Sequence, residues 1–181
     1  MATTEKRDIA GIDEKYLTFA LKTGKEGVND EEYGVLITEV REIIGVMEIT
    51  TIPQSPAYIK GVINLRGKVI PITDLRTKFD MPERSHDQKT CIIVMEVSGK
   101  NVGMIVDVVS EVMKIDASEI QPPQSLGDDV SHFVSGLAKK SDSKKVIILL
   151  NINEIFTMSQ ILEEAVWRNS EKIWEFKQNW W

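Results

Sequence analysis

Two stretches of this chain, EYGVLITEVREI from Glu32 and NVGMIVDVVSEV from Asn101, align without a gap. Gly34 falls on Gly103, Val40 on Val109 and Glu42 on Glu111, each 69 positions apart, and Pro53 and Pro122 share that spacing. Further on, YIKGV matches FVSGL at a spacing of 75, and KVIPI matches KVIIL at 77. The matched pieces are short, apolar and β-branched, which suits strands and not helices. A repeat of this kind means that one supersecondary unit was copied. The chain therefore reads as two copies of a five-stranded unit, all-β, with a longer loop in the second copy.

The stretch GVINLRGK, Gly61 to Lys68, tests whether a nucleotide binds. A phosphate loop needs four residues between its glycines and a Ser or Thr after the lysine, whose hydroxyl ligates magnesium. Here five residues separate Gly61 from Gly67, and Val69 follows the lysine. What comes next is VIPI, a proline-bearing β-branched run that opens no helix. The hairpin reading accounts for more: GVINL and KVIPI are two strands joined by Arg66-Gly67, with glycine supplying the positive φ of a tight turn. Pro71 removes one ladder donor and predicts an edge strand or a bulge. Arg66 has no structural reason to be at a bare hairpin tip, which makes it a candidate for contact work.

At 181 residues the chain is long enough to bury a core, and 42% apolar with 28% charged is an ordinary soluble composition. A net charge of −6 argues against nucleic acid or an anionic membrane surface as main partners. No apolar run approaches the roughly 18 residues of a membrane span, and MATTEKRDIAGIDEK has no apolar signal core. The lone Cys91 forms no intrachain disulfide, which fits a reducing cytoplasm. The expected divisions are a flexible N-terminus over 1–15, a first β unit over 16–82, a second over 83–152 and a helical extension over 153–181. The boundary at 82/83 rests on PERSHDQ, a polar linker. MEITTI (47–52) and VGMIVDVV (102–109) read as strands, and TDLRTKFD as a short helix capped by Thr73 or Asp74. At the C-terminus, Asn151 and Glu154 fit a capping box, and Ile155, Met158, Leu162 and Ala165 continue one helical stripe. A helix is predicted from about Asn153 to at least Trp167, with Trp167 packed on the barrels. All four tryptophans lie in the last 15 residues, which makes the tail a candidate for self-association.

Catalytic groups do not assemble. His86 and His132 stand at no metal-ligand spacing, and Cys91 opens an apolar strand with no base near it in sequence. No cofactor is expected. Asp107, Glu42 and Arg66 are charges set in apolar strand sequence and need partners; a Glu42–Arg66 salt bridge is the simplest pairing.

With KGVINLRGKVIPITDLRTKF, VGMIVDVVSEVMKI and VIILLNINEI on the page, the chain resembles the CheW family of bacterial chemotaxis adaptors, from about Tyr16 to Ile161. The resemblance implies two SH3-like five-stranded barrels, no enzymatic activity, and coupling of the histidine kinase CheA to the cytoplasmic tips of chemoreceptors. It places kinase contacts at Ile37, Val40, Gly61 and Val62, and receptor contacts at Glu42, Arg66, Cys91, Ile92, Val109 and Val112. The alternatives are the regulatory domain of the kinase itself, which shares the fold, and a small-ligand or purine-binding protein or enzyme using the inter-barrel groove. The tail beyond Leu162 departs from the family pattern.

Overall fold

Alternation along the apolar runs sorts side chains between two faces, and in several strands neither face is polar. The computed structural model describes residues 14–123, 132–139 and 145–156. Its strands are β1 (Glu14–Leu21), β2 (Glu31–Leu36), β3 (Val40–Gly45), β4 (Ile59–Leu65), β5 (Lys68–Asp74), β6 (Cys91–Val97), β7 (Lys100–Val106), β8 (Val108–Ile115), β9 (Ile120–Gln121), β10 (Val134–Lys139) and β11 (Val146–Leu150). They form a six-stranded sheet, β8-β1-β2-β11-β10-β9, and a five-stranded sheet, β3-β6-β7-β5-β4.

The duplication is visible in the ladder. Parallel pairing of β2 with β11 sets Gly34 opposite Leu149, and parallel pairing of β5 with β7 sets Gly103 opposite Ile72. These are the same repeat positions, as the sequence alignment gives them. Both glycines leave room for that neighbour: a Cβ on Gly34 would stand 2.9 Å from Leu149 Cδ2, and one on Gly103 2.5 Å from Ile72 Cδ1. The register breaks also correspond, between Ile59 and Gly61 in one hairpin and between Val134 and Gly136 in the other.

Each sheet, however, mixes the repeats. The sheet order repeats when every strand is advanced by one unit, but β1 and β2 pair with β8 and β11, while β6 and β7 pair with β3 and β5. The division expected at 82/83 therefore does not separate the sheets. The physical reason is burial. Leu17, Phe19 and Leu21 of β1 and Tyr33 and Val35 of β2 meet Ile93, Met95 and Val97 of β6 and Val102, Met104 and Val106 of β7 in one central core. The opposite faces line a barrel interior in each sheet: Ile63, Ile70, Ile72, Ile92, Val94 and Ile105 in one, Tyr16, Ile115, Ala138, Ile147 and Leu149 in the other. Strands buried on both faces read as continuous apolar runs, as CIIVMEV does.

Three local expectations change. MEITTI forms no strand; Thr50 alone bridges Val62. VGMIVDVV breaks at Asp107, between β7 and β8. Pro71 lies in β5, which has neighbours on both sides. It is tolerated because Val62, opposite it, directs its N–H and C=O to Thr50 (2.9 and 2.8 Å), so the Val62–Pro71 pair carries no hydrogen bond. The missing donor then faces β7, whose ladder with β5 begins only at Ile72.

Helix α1 (Leu75–Lys78) starts where expected, with the Asp74 carboxylate accepting from Arg76 N at 2.9 Å. Asn151 Oδ1 accepts from Glu154 N at 3.4 Å, and Ile152, Ile155 and Phe156 of the helical residues 152–156 join the central core. The remainder of the helix predicted to Trp167, the tryptophan-rich end and residues 1–13 lie outside the described residues.

Arg76 is buried, 5% exposed, and so is Asp107, also 5%. Arg76 Nη1 donates to Asp107 Oδ2 at 2.6 Å and to Lys22 O at 2.8 Å, while Nε and Nη2 reach Pro82 O. Lys22 N donates to the same carboxylate oxygen at 2.7 Å. One guanidinium thus ties α1, the end of β1, the linker and the β7–β8 junction. Removing one partner of such a pair strands the other charge in the core. Arg76→Met is expected to lower unfolding free energy by about 3–5 kcal/mol, read from urea denaturation; a change under about 1 kcal/mol would refute this role.

Candidate protein-contact surface

The five-stranded sheet has two edges, β3 and β4, and an open edge invites further strand pairing. The β4–β5 turn brings these edges together. Arg66 and Gly67 occupy it at φ 52° and 83°, both positive as a type I′ turn requires, and Asn64 Oδ1 accepts from Gly67 N at 2.8 Å. From this tip Arg66 extends to β3, where its two terminal nitrogens donate to the two Glu42 oxygens at 2.8 and 2.9 Å. The predicted salt bridge is present, and it is bidentate. The Arg66 side chain is 74% exposed and that of Glu42 30%, so the fork holds its geometry at the surface. Donation from Arg66 holds the Glu42 carboxyl below the usual carboxylate range, and the same bond raises the guanidinium further.

Beside this pair β3 alternates half-buried and exposed residues, with Arg41 and Ile43 outward. Ile43 is 45% exposed, and Val46 and Met47 after it are also exposed. Val112, on the corresponding strand β8, is 50% exposed. Exposed aliphatics are what a protein partner contacts; single ones are ordinary, but Ile43, Val46 and Met47 fall within five residues at the end of an edge strand. Ile43, Val46 and Met47 escaped the sequence reading. No charge pattern separates them in the sequence: Arg41 and Glu42 lie in opposite phases of β3, so charge alone does not say which phase faces outward.

The other anticipated positions divide. Ile37 and Val40 are half-buried and pack on the central core, Ile37 from the short 3-10 turn Ile37–Glu39. Val62 is half-buried in β4. Val109, half-buried, hydrogen-bonds the Cys91 sulfur through its backbone, and burial pushes that thiol up despite this bond. Ile92 is 0% exposed, inside the barrel core, because it points away from the central interface on an inner strand. Its expected place among receptor contacts is thereby corrected: the side chain presents no surface. Gly61 has a backbone reason of its own. Its φ is +141°, and a Cβ there would lie 2.1 Å from the carbonyl oxygen of Thr50. The described residues hold no group of His, Cys, Asp and Glu that suits a metal ion, and no helix among them is long and apolar enough to cross a membrane.

The geometry defines a class before it defines a family: a duplicated two-barrel β protein with a bidentate surface ion pair and exposed aliphatics, built for binding other proteins. The CheW-like domain family model matches residues 27–160. The chemotaxis protein CheW of Klebsiella aerogenes is 33% identical over 162 residues, covering 89% of this chain and 92% of its own. That of Bacillus subtilis is 34% identical over 141 residues, covering 75% and 87%. Among solved structures, the scaffolding protein TtCheW from Thermoanaerobacter tengcongensis superposes with a TM-score of 0.69 at 37% identity, covering 80% of this chain and 93% of that one. This chain belongs to the CheW family, and its two sheets are the family's two SH3-like barrels.

Two outcomes follow from this geometry. Gly61→Ala is expected to destabilise the fold on the order of 3 kcal/mol, because both the φ and the Thr50 carbonyl oppose a Cβ. A variant with an unchanged urea midpoint would show that β4 shifts freely. Cys91 is expected to alkylate slowly in the native protein at neutral pH, and faster as pH rises or in denaturant, since the thiolate is the reacting form. Rapid modification at pH 7 would contradict the raised thiol.

Proposed function

We propose that this chain is a non-enzymatic, cytoplasmic chemotaxis adaptor that couples the histidine kinase CheA to the cytoplasmic tips of chemoreceptors. The observation that carries this reading is the bidentate Arg66–Glu42 pair at the surface, with Ile43 and Val112 exposed on the two corresponding strands. The names of the relatives, chemotaxis proteins and a scaffolding protein, support it. The kinase contacts Ile37, Val40, Gly61 and Val62; the receptor contacts Glu42, Arg66, Cys91, Val109 and Val112. In this division the kinase meets the half-buried Ile37, Val40 and Val62 at their open sides, and the exposed Arg66 and Val112 lead the receptor face. Ion pairs fixed in advance add specificity because the partner meets a preordered fork at little entropic cost. Self-association, where it occurs, belongs to the tryptophan-rich tail.

Gly61 is a poor site at which to test the kinase face, since any side chain there disturbs β4. Val62→Asp is the better probe: it should weaken capture of the CheA regulatory domain while circular dichroism stays that of the wild type. Unchanged capture by a folded variant would move the kinase face elsewhere.

For the receptor face, Arg66→Ala and Glu42→Ala should each impair assembly with kinase and a receptor tip fragment in a pull-down. The double variant should be no worse than the stronger single, because removal of either side chain already dissolves the fork. Additive losses would mean that the two residues act separately.

A further inference from the structure

The way the repeats share strands has a consequence for how the chain is held together. Among the described residues, the first half of the sequence, β1 to β5 with α1, makes within itself the hairpins β1·β2 and β4·β5 and the single Thr50–Val62 bridge. The second half, from β6 onward, makes β6·β7, β9·β10 and β10·β11. Every ladder that assembles these hairpins into sheets crosses between halves: β1·β8, β2·β11, β3·β6 and β5·β7. The central core likewise draws on both, with Phe19 and Tyr33 from one half and Met95 and Met104 from the other. Separated, the first half is two hairpins and the lone strand β3, and the second is one hairpin, the lone strand β8 and the three-stranded β9·β10·β11 ladder, each with its apolar faces bare; isolated hairpins are marginal in water.

Polar contacts lie along the same seam. Arg76 of the first half pairs with Asp107 of the second at 2.6 Å, both buried. Thr18 Oγ1 donates to Glu111 O at 3.0 Å and accepts from Glu111 N at 3.3 Å. Lys22 Nζ meets Asp87 at 3.2 Å, and Arg41 Nε donates to Glu96 at 3.0 Å. By contrast, the connection between the halves is exposed from Glu83 to Lys89. Its own contact across Ser85 and His86 is the exposed Arg84–Asp87 pair, which contributes little.

We infer that the two sequence halves are each other's binding partner: they form a non-covalent complex that does not need the 82–88 connection, and the matching half of a second copy of this chain replaces the original. No part of this depends on which proteins the surface recognises. The repeat explains why the fit is reciprocal, since each half donates one hairpin and accepts the other at equivalent registers.

The full chain with a protease site inserted between Ser85 and His86 provides the test. After cleavage the protein should elute as one particle of the uncut size, with unchanged far-ultraviolet circular dichroism, while a denaturing gel shows two pieces. Its urea midpoint should now rise with protein concentration, as dissociation accompanies unfolding. Two cleaved preparations with different tags, unfolded together and refolded, should yield mixed particles that both tags capture. Pieces that separate in native buffer would overturn the inference, as would a piece 1–85 that alone keeps its strand signal and amide protection. If the cleaved Thr18→Val protein comes apart at a lower urea concentration than the cleaved parent, the seam is where we place it. An unchanged midpoint for both Thr18→Val and Arg76→Met would overturn that placement.

Discussion

Strands β1, β2, β6 and β7 have no solvent face, because one side of each meets the central core and the other lines a barrel. Much else answers to that constraint. A strand covered twice must have apolar residues at successive positions, which is why the period-2 alternation of a half-exposed strand is missing from CIIVMEV and YLTFAL. Polar groups near it must be paired: Thr18 bonds the Glu111 backbone, and the Asp107 carboxylate holds Arg76 and the Lys22 amide. Gly34 and Gly103 are glycines because each faces a large aliphatic on the strand beside it.

The same constraint separates structure from contact. The fully buried side chains of the inner strands are unavailable to a partner, and Ile92 is the example. The edge strands β3 and β8 are covered less: side chains of β3 alternate toward solvent, and Ser110 to Val112 of β8 are exposed in succession. The Arg66–Glu42 fork joins the β4–β5 turn to the edge strand β3 at the surface. The charges are exposed and screened, which makes the fork a fixed shape more than a store of stability. Buried Arg76 and Asp107 take the opposite part: they hold the structure and meet no partner.

Much of the candidate surface was legible because charges set in apolar strands are costly without a partner. Glu42 and Arg66 stood out on that ground, and so did Asp107. Sequence alone did not say that Asp107 pairs with Arg76, since Arg76 sits in a short helix where a basic residue is ordinary. Ile43 was missed, and Ile92 was placed on the surface, for one reason. Both lie in β-branched runs, and only knowledge of which strands are edges tells an outward isoleucine from an inward one.

What the sequence determined by itself was local. Hydrophobic period, turn chemistry and the 69-residue repeat fixed most of the strands, though neither the loss of MEITTI nor the break at Asp107, together with the Arg66-Gly67 hairpin, the Asp74 cap and the existence of two equivalent units. These depend on contacts between near neighbours or on self-similarity, and both can be read along a line. What only the tertiary structure decided was which strands pair across the repeat. In the sequence, β1 and β2 precede β3 and would be assigned to one barrel with it; in the structure they join β8 and β11, and β3 joins β6. Equivalent strands carry nearly equivalent patterns, so self-pairing and exchange look alike in one dimension. The choice rests on burying β1, β2, β6 and β7 on both faces at once, which belongs to the assembled fold and to no segment of the chain.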